Sequence, residues 1–110
     1  MIFDKLSFHE SSIEELLLEK DSIVISFTDV SFFPKKLNGR IFIEGSPIMK
    51  VDGNLQGDVY KTYPDGEVIN MEIFPNKIEV IVEWNDFKNH LCMTQKIIFM
   101  GDKIRWVPDS

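Results

Sequence analysis

Apolar and polar residues alternate along most of the chain, and turn signals break the alternation at roughly the 8 to 12 residue spacing of a β domain. In the second half this pattern predicts five consecutive strands, near residues 57–63, 67–73, 78–84, 91–100 and 103–107. Turn signals mark three of the four junctions between them. YPDGE from Tyr63 offers a preset proline and a glycine for a left-handed bulge, and FPNK after Phe74 and Gly101-Asp102 follow. Pairing must bring the apolar residues of neighbouring strands to one face. Ile73 opposite Ile78 then puts Met71 beside Val80, Ile69 beside Val82, and Trp84 near the end of that face. A two-residue loop at Gly101-Asp102 sets Phe99 opposite Ile104 and Ile97 opposite Trp106. The PDG turn, as a bulged three-residue loop, brings Val59 beside Met71 and leaves Lys61 beside Ile69 at the sheet margin, its stem snorkelling to water. Trp84 and Trp106 are expected to anchor the core.

In the first half, Ile13–Leu18 and Ile23–Val30 flank Lys20-Asp21, and pairing Leu18 with Ile23 and Leu16 with Ile25 makes another hairpin. The segment IEELLLE, within residues 13–19, is rich in helix-favouring Glu and Leu, so a short helix is the alternative. Its brevity and the β-rich SIVISF that follows favour strand. Arg40–Glu44 and Pro47–Val51 add two short strands. The expected fold is mainly β: one domain over residues 1–110, an antiparallel meander of about eight strands closed as a two-layer sandwich or an open barrel.

Composition adds boundary conditions. With 44% hydrophobic and 27% charged residues the chain has the makeup of an ordinary single-core domain. Its net charge of −6, from 18 acidic against 12 basic residues, disfavours nucleic acid and anionic lipid and favours a cationic partner. Ile23–Phe33, the most apolar stretch, is interrupted by Asp29 and too short to span a bilayer, so no membrane association is expected. A lone cysteine, Cys92, and an N-terminus without the pattern of a secretory signal make a cytoplasmic setting the expectation.

Candidate chemistry is sparse. Cys92 falls within a predicted strand and no Gly-x-Ser-x-Gly elbow occurs. His90 and Cys92 share one strand face, with His9 elsewhere, but a structural zinc site usually needs four ligands. A half-buried thiol and a surface histidine are the plainer reading. The glycines form no phosphate loop, and Asp52-Gly53-Asn54 lacks the downstream acid of a calcium loop because position 63 is Tyr. No catalytic residues, metal or cofactor are expected; His9, His90 and the carboxylates are the only acid or base groups an enzyme would have here.

Two exposed groups remain as candidate binding elements. The expected register sets Asp58, Glu72 and Glu79 side by side on the face opposite the core, with Lys96 on the next strand and Tyr60 and Asn70 in the neighbouring row. Such a stripe receives Lys or Arg from a partner, or is simply a solvated face. A flat sheet offers no cleft to raise one carboxyl pKa for glycoside hydrolysis. The second group is DVSFFPKK, expected as a long loop in which Phe32 and Phe33 serve as partner anchors or as a lid over the core.

The opening Phe8, His9, Glu10, Ser11, Ser12, Ile13 resembles a Phe/Leu-His-Asp-Ser-x-Ile pattern at the start of small bacterial proteins, some similar to immunity proteins of contact-dependent and polymorphic toxin systems. Glu10 stands where that pattern has Asp, and the resemblance spans Phe8 to Val30. It implies a stoichiometric inhibitor that blocks a toxin by binding, and assigns no role to His9 or Glu10, which by their position are suited to hydrogen-bond the start of the hairpin. The expected function is accordingly non-catalytic: an immunity-like protein occluding a cationic toxin or enzyme. The alternative is a carrier of a small apolar ligand in a cavity lined by Met71, Val80, Met93 and Trp84. An exposed strand near Ile104–Val107 would suit pairing with a second copy.

Overall fold

The computed structural model describes residues 2–109. After a short 3-10 turn, Ile2–Lys5, the chain forms β1 (Ser12–Glu19), β2 (Ser22–Phe32), β3 (Lys35–Glu44), β4 (Ile48–Val51), β5 (Asn54–Leu55), β6 (Asp65–Ile73), β7 (Lys77–Asp86), β8 (Leu91–Met100) and β9 (Lys103–Pro108). All nine strands lie in one antiparallel sheet ordered β5-β4-β8-β7-β6-β1-β2-β3-β9. Its ends do not pair, so the sheet is not closed into a barrel. Inward residues of both halves meet in one hydrophobic cluster, which makes the sheet fold over a single core. Among the described residues no helix is long and apolar enough to cross a membrane.

Much of the expected pairing is present. Residues 13–19 are strand, with Leu16 opposite Ile25 and Leu18 opposite Ile23. Ile73 faces Ile78 and Met71 faces Val80. Asp52 and Gly53, both left-handed at φ 49° and 87°, join β4 to β5 with Val51 opposite Asn54, the geometry of a tight hairpin turn.

Four expectations are corrected. First, β8 and β9 are not a hairpin. Trp106 pairs with Ile41 and Ile104 with Ile43, placing β9 at the far end of the sheet beside β3. A two-residue hairpin turn needs positive φ, which neither Gly101 nor Asp102 has. Their amides bond elsewhere instead, Gly101 to the Asn76 carbonyl at 3.1 Å and Asp102 to that of Glu44 at 2.8 Å. Second, residues 57–63 form no strand, so Val59 does not pair with Met71 nor Lys61 with Ile69. They make a strap to β6 that the Lys61 ammonium fastens by donating to the carbonyls of Glu14 and Pro64, both at 2.9 Å. Third, Val68 and not Ile69 faces Val82, because a bulge between Val68 and Asn70 absorbs one residue. Fourth, DVSFFPKK is no long loop: Phe32 pairs with Lys35, and Phe33-Pro34 is the tip of the β2–β3 hairpin.

Gly66 explains the lost PDG turn. It lies inside β6 opposite Trp84, where an added Cβ would sit 2.5 Å from the indole. Its missing side chain thus makes room for the tryptophan. The other half of the sheet repeats the device, with the Trp106 ring 2.5 Å from the Cβ position of Gly39. Both tryptophans are buried as expected, Trp84 completely.

The Phe8–Ser11 segment is a clamp. Phe8 packs edge-on against Phe27 and Trp106, at 5.0 and 5.6 Å between centroids. The buried Ser11 hydroxyl donates to the Phe8 carbonyl, while the His9 Nδ1 meets the Ile69 carbonyl at the β6 bulge. Glu10 bonds through its amide to the Val68 carbonyl. His9 and Glu10 therefore tie the N-terminal segment to β6 and not to the β1–β2 hairpin.

Candidate functional site

The bulge at Ile69 decides which side chains β6 shows to solvent. A strand's side chains alternate between faces, so one extra residue exchanges the faces of everything before it. Without the bulge Glu67 would oppose Trp84 on the core side; with it, Gly66 and Val68 turn inward and Glu67 turns out, directly opposite Glu83 of β7. Ser12 of β1 flanks Glu67 on its other side and Thr94 of β8 flanks Glu83. No cation reaches Glu67 or Glu83 among the described residues; the Asn85 amide alone donates to Glu83, at 3.3 Å.

Beside this pair lies a cleft of about 210 Å³ between β1, β6 and the end of β7, lined by Glu14, Asp65, Glu67, Asn85 and Phe87. Glu14 is the extra residue of a bulge between Ile13 and Glu15, and its carboxylate accepts from the Thr28 hydroxyl at 3.0 Å. Phe87, just beyond β7, is 69% exposed at the rim. The arrangement joins several carboxylates to an exposed aromatic, groups that together suit a guanidinium or ammonium.

The expected stripe survives in part. Glu72 and Glu79 do face each other, but Asp58 sits in the strap and not on an adjacent strand. Lys96 lies one row from Glu79 and reaches it at 3.3 Å, while Lys77 reaches it at 3.1 Å. Those two lysines, Lys77 foremost, hold the Glu79 carboxyl below the ordinary glutamate range. Tyr60 belongs with the strap beside Gln95 and Thr62, and Asn70 with the N-terminal segment beside His9, so the two do not share a row. Phe33 is 95% exposed and Phe32 half-buried; the N-terminal segment, bridged Ser7 to Ser31, lies between their hairpin and β6.

Glu79 supplies a pH test. A carboxylate whose pKa is lower folded than unfolded adds stability above the unfolded value and loses it as pH falls through the folded one. Glu79→Gln is expected to lower the urea midpoint at pH 7, and the gap to wild type to close as the pH drops below about 4. Because the group is at the surface, added salt should shrink the gap at pH 7. A gap that persists in acid would assign the cost to lost packing.

The remaining candidates stay apart. His90 is a left-handed turn residue at φ 55°, and Cys92 is exposed, not half-buried. No three His, Cys, Asp or Glu side chains among the described residues group as metal ligands. Of the four residues expected to line an apolar cavity, Val80 and Trp84 are packed in the core, Met71 is half-buried against it, and Met93 is 41% exposed. Comparison of the chain with models of protein families, with curated proteins and with solved structures gives no match.

Proposed function

We propose that the protein is a stoichiometric, non-catalytic inhibitor of the immunity type, which captures a cationic toxin or enzyme on the outer face of β6 and β7. The observation that carries this reading is the opposed pair Glu67 and Glu83, which no cation reaches among the described residues, beside the acidic cleft that Phe87 rims. Like charges set opposite one another work against the sheet by a few tenths of a kcal/mol, and an arginine or lysine from a partner turns that cost into attraction. Glu72 extends the same face. The net charge of −6 steers a basic partner towards the protein over distances of about a Debye length. The resemblance of the Phe8–Val30 segment to small bacterial proteins, some of them similar to immunity proteins, supports this reading.

The test is recovery of the tagged protein from its host at low ionic strength, followed by assay of whatever co-purifies in near-equal amount. A basic protein whose activity falls as the inhibitor is added back, with affinity decreasing as salt rises, is the expected result. A protein that emerges alone across growth conditions overturns the proposal.

A further inference from the structure

Unpaired strand edges invite another strand, and sheets commonly guard them with charge, proline or shortness. Most free edges here are guarded. β9 carries Lys103, Arg105 and Pro108, β1 past Ile13 carries Glu15 and Glu19, and β6 past the clamp carries Glu72. β3 before Gly39 has Lys35 and Lys36, and β5 has only two residues. β8 differs. β4 pairs with it only from Ile97 to Met100, so Leu91–Gln95 has β7 on one side and, among the described residues, no strand on the other. This stretch, LCMTQ, holds neither charge nor proline, and Leu91 and Met93 are 46% and 41% exposed.

Backbone geometry points the same way. The Asp52 amide donates to the Lys96 carbonyl at 2.8 Å and the Lys96 amide to the Asp52 carboxylate at 3.0 Å, so Lys96 turns its backbone groups away from β7. By the two-residue period of a strand, Thr94 and Cys92 do likewise. No backbone hydrogen bond reaches them from that side among the described residues.

We propose that this edge is a self-association surface, where a second copy of the chain adds antiparallel through Leu91–Gln95 about a two-fold axis between the two Met93 residues. That register sets Cys92 opposite Thr94 of the other copy in both directions and so uses every outward N–H and carbonyl of the pair. A register centred on Thr94 spends Lys96, already held by Asp52. It also brings the exposed Met93 side chains together and Leu91 beside Gln95 of the other copy, covering apolar surface on both. Charge selects the occupant. Two chains of net charge −6 come together with least repulsion where the contact is itself neutral, whereas a basic partner finds no carboxylate on this segment. So short a contact buries less than the roughly 1,200 Å² of a standard interface, and association should rise with concentration. Self-association at this edge does not depend on the proposed capture at β6 and β7, and salt separates the two: screening strengthens pairing of like-charged copies and weakens capture of a basic partner.

Sedimentation velocity on the full chain over a wide concentration series is the experiment. The weight-average mass is expected to climb towards twice the monomer's, and to climb further when salt is added. Thr94→Pro removes an outward amide without touching the β7 ladder and should return the protein to monomer. Met93→Lys, at an exposed side chain, should do the same if the proline variant fails to fold. Residues opposite one another at such a non-hydrogen-bonded position have Cα atoms about 4.5 Å apart, within disulfide range. Met93→Cys in a Cys92→Ser background should therefore cross-link on oxidation faster than the native Cys92. A monomer at every concentration, or a dimer indifferent to the variants, overturns the proposal.

Discussion

Trp84→Ala is expected to cost about 3–5 kcal/mol, a large share of the roughly 5–15 kcal/mol that holds a domain together. The indole is fully buried in the single core, and its place on Gly66 leaves no flexible side chain on that side to collapse into the space. Urea denaturation followed by far-ultraviolet circular dichroism reads the loss without relying on the tryptophan removed. Trp84→Phe should cost distinctly less. It keeps most of the ring and removes the indole N–H, which is buried without a hydrogen-bond partner. The second half of the test is a double-mutant cycle. Gly66→Ala alone forces a methyl to within 2.5 Å of the ring and should destabilise, whereas in the Trp84→Ala background the same methyl enters vacated space. Coupling of about 1–3 kcal/mol is expected. A Gly66→Ala cost equal in both backgrounds would mean that the glycine serves backbone conformation and not the indole.

That pair also shows why part of the fold escapes the linear pattern. Glycine after Pro-Asp is read as a turn because turns favour it, yet here it is a strand residue chosen by its neighbour across the sheet. Cross-strand partners such as Trp84 are invisible until the register is known. β9 is misplaced by the sequence pattern for a different reason: Ile104 and Trp106 match the alternation of β8 and of β3 equally well, so parity alone does not overrule the hairpin that Gly101-Asp102 suggests. Where neighbours are consecutive and the turn is tight, as in β1–β2 and β6–β7, the pairing next to the turn is legible from the sequence, up to the first bulge.

The site was legible only as far as Glu72 and Glu79. Glu67 and Glu83 were hidden by the β6 bulge, although a signal was there: the inward residues Val68 and Met71 are separated by an odd number of positions, which strict alternation forbids. Ile13 to Leu16 and Phe27 to Val30 show the same spacing, and each also brackets a bulge. Odd spacing between core residues thus brackets each of these three bulges, two of which, in β1 and β6, border the acidic cleft.

Glu67→Lys is the variant on which capture and stability should move in opposite directions. A lysine opposite Glu83 replaces repulsion with attraction, so the folded protein should gain a few tenths of a kcal/mol. Affinity for the proposed cationic partner should fall by about 30- to 1,000-fold, roughly 2–4 kcal/mol, because the favourable contact is lost and a like charge faces the incoming one. Glu72→Lys should weaken capture less, since Lys77 and Lys96 already offset the charge at its end of the face. Calorimetric titration against the partner, paired with thermal unfolding of each variant, resolves the two effects. If Glu67→Lys stabilises the protein yet binds as wild type does, the outer face of β6 and β7 is only a solvated surface. A variant that is more stable and no longer binds shows that the opposed carboxylates are kept, against the interest of folding, for the partner they meet.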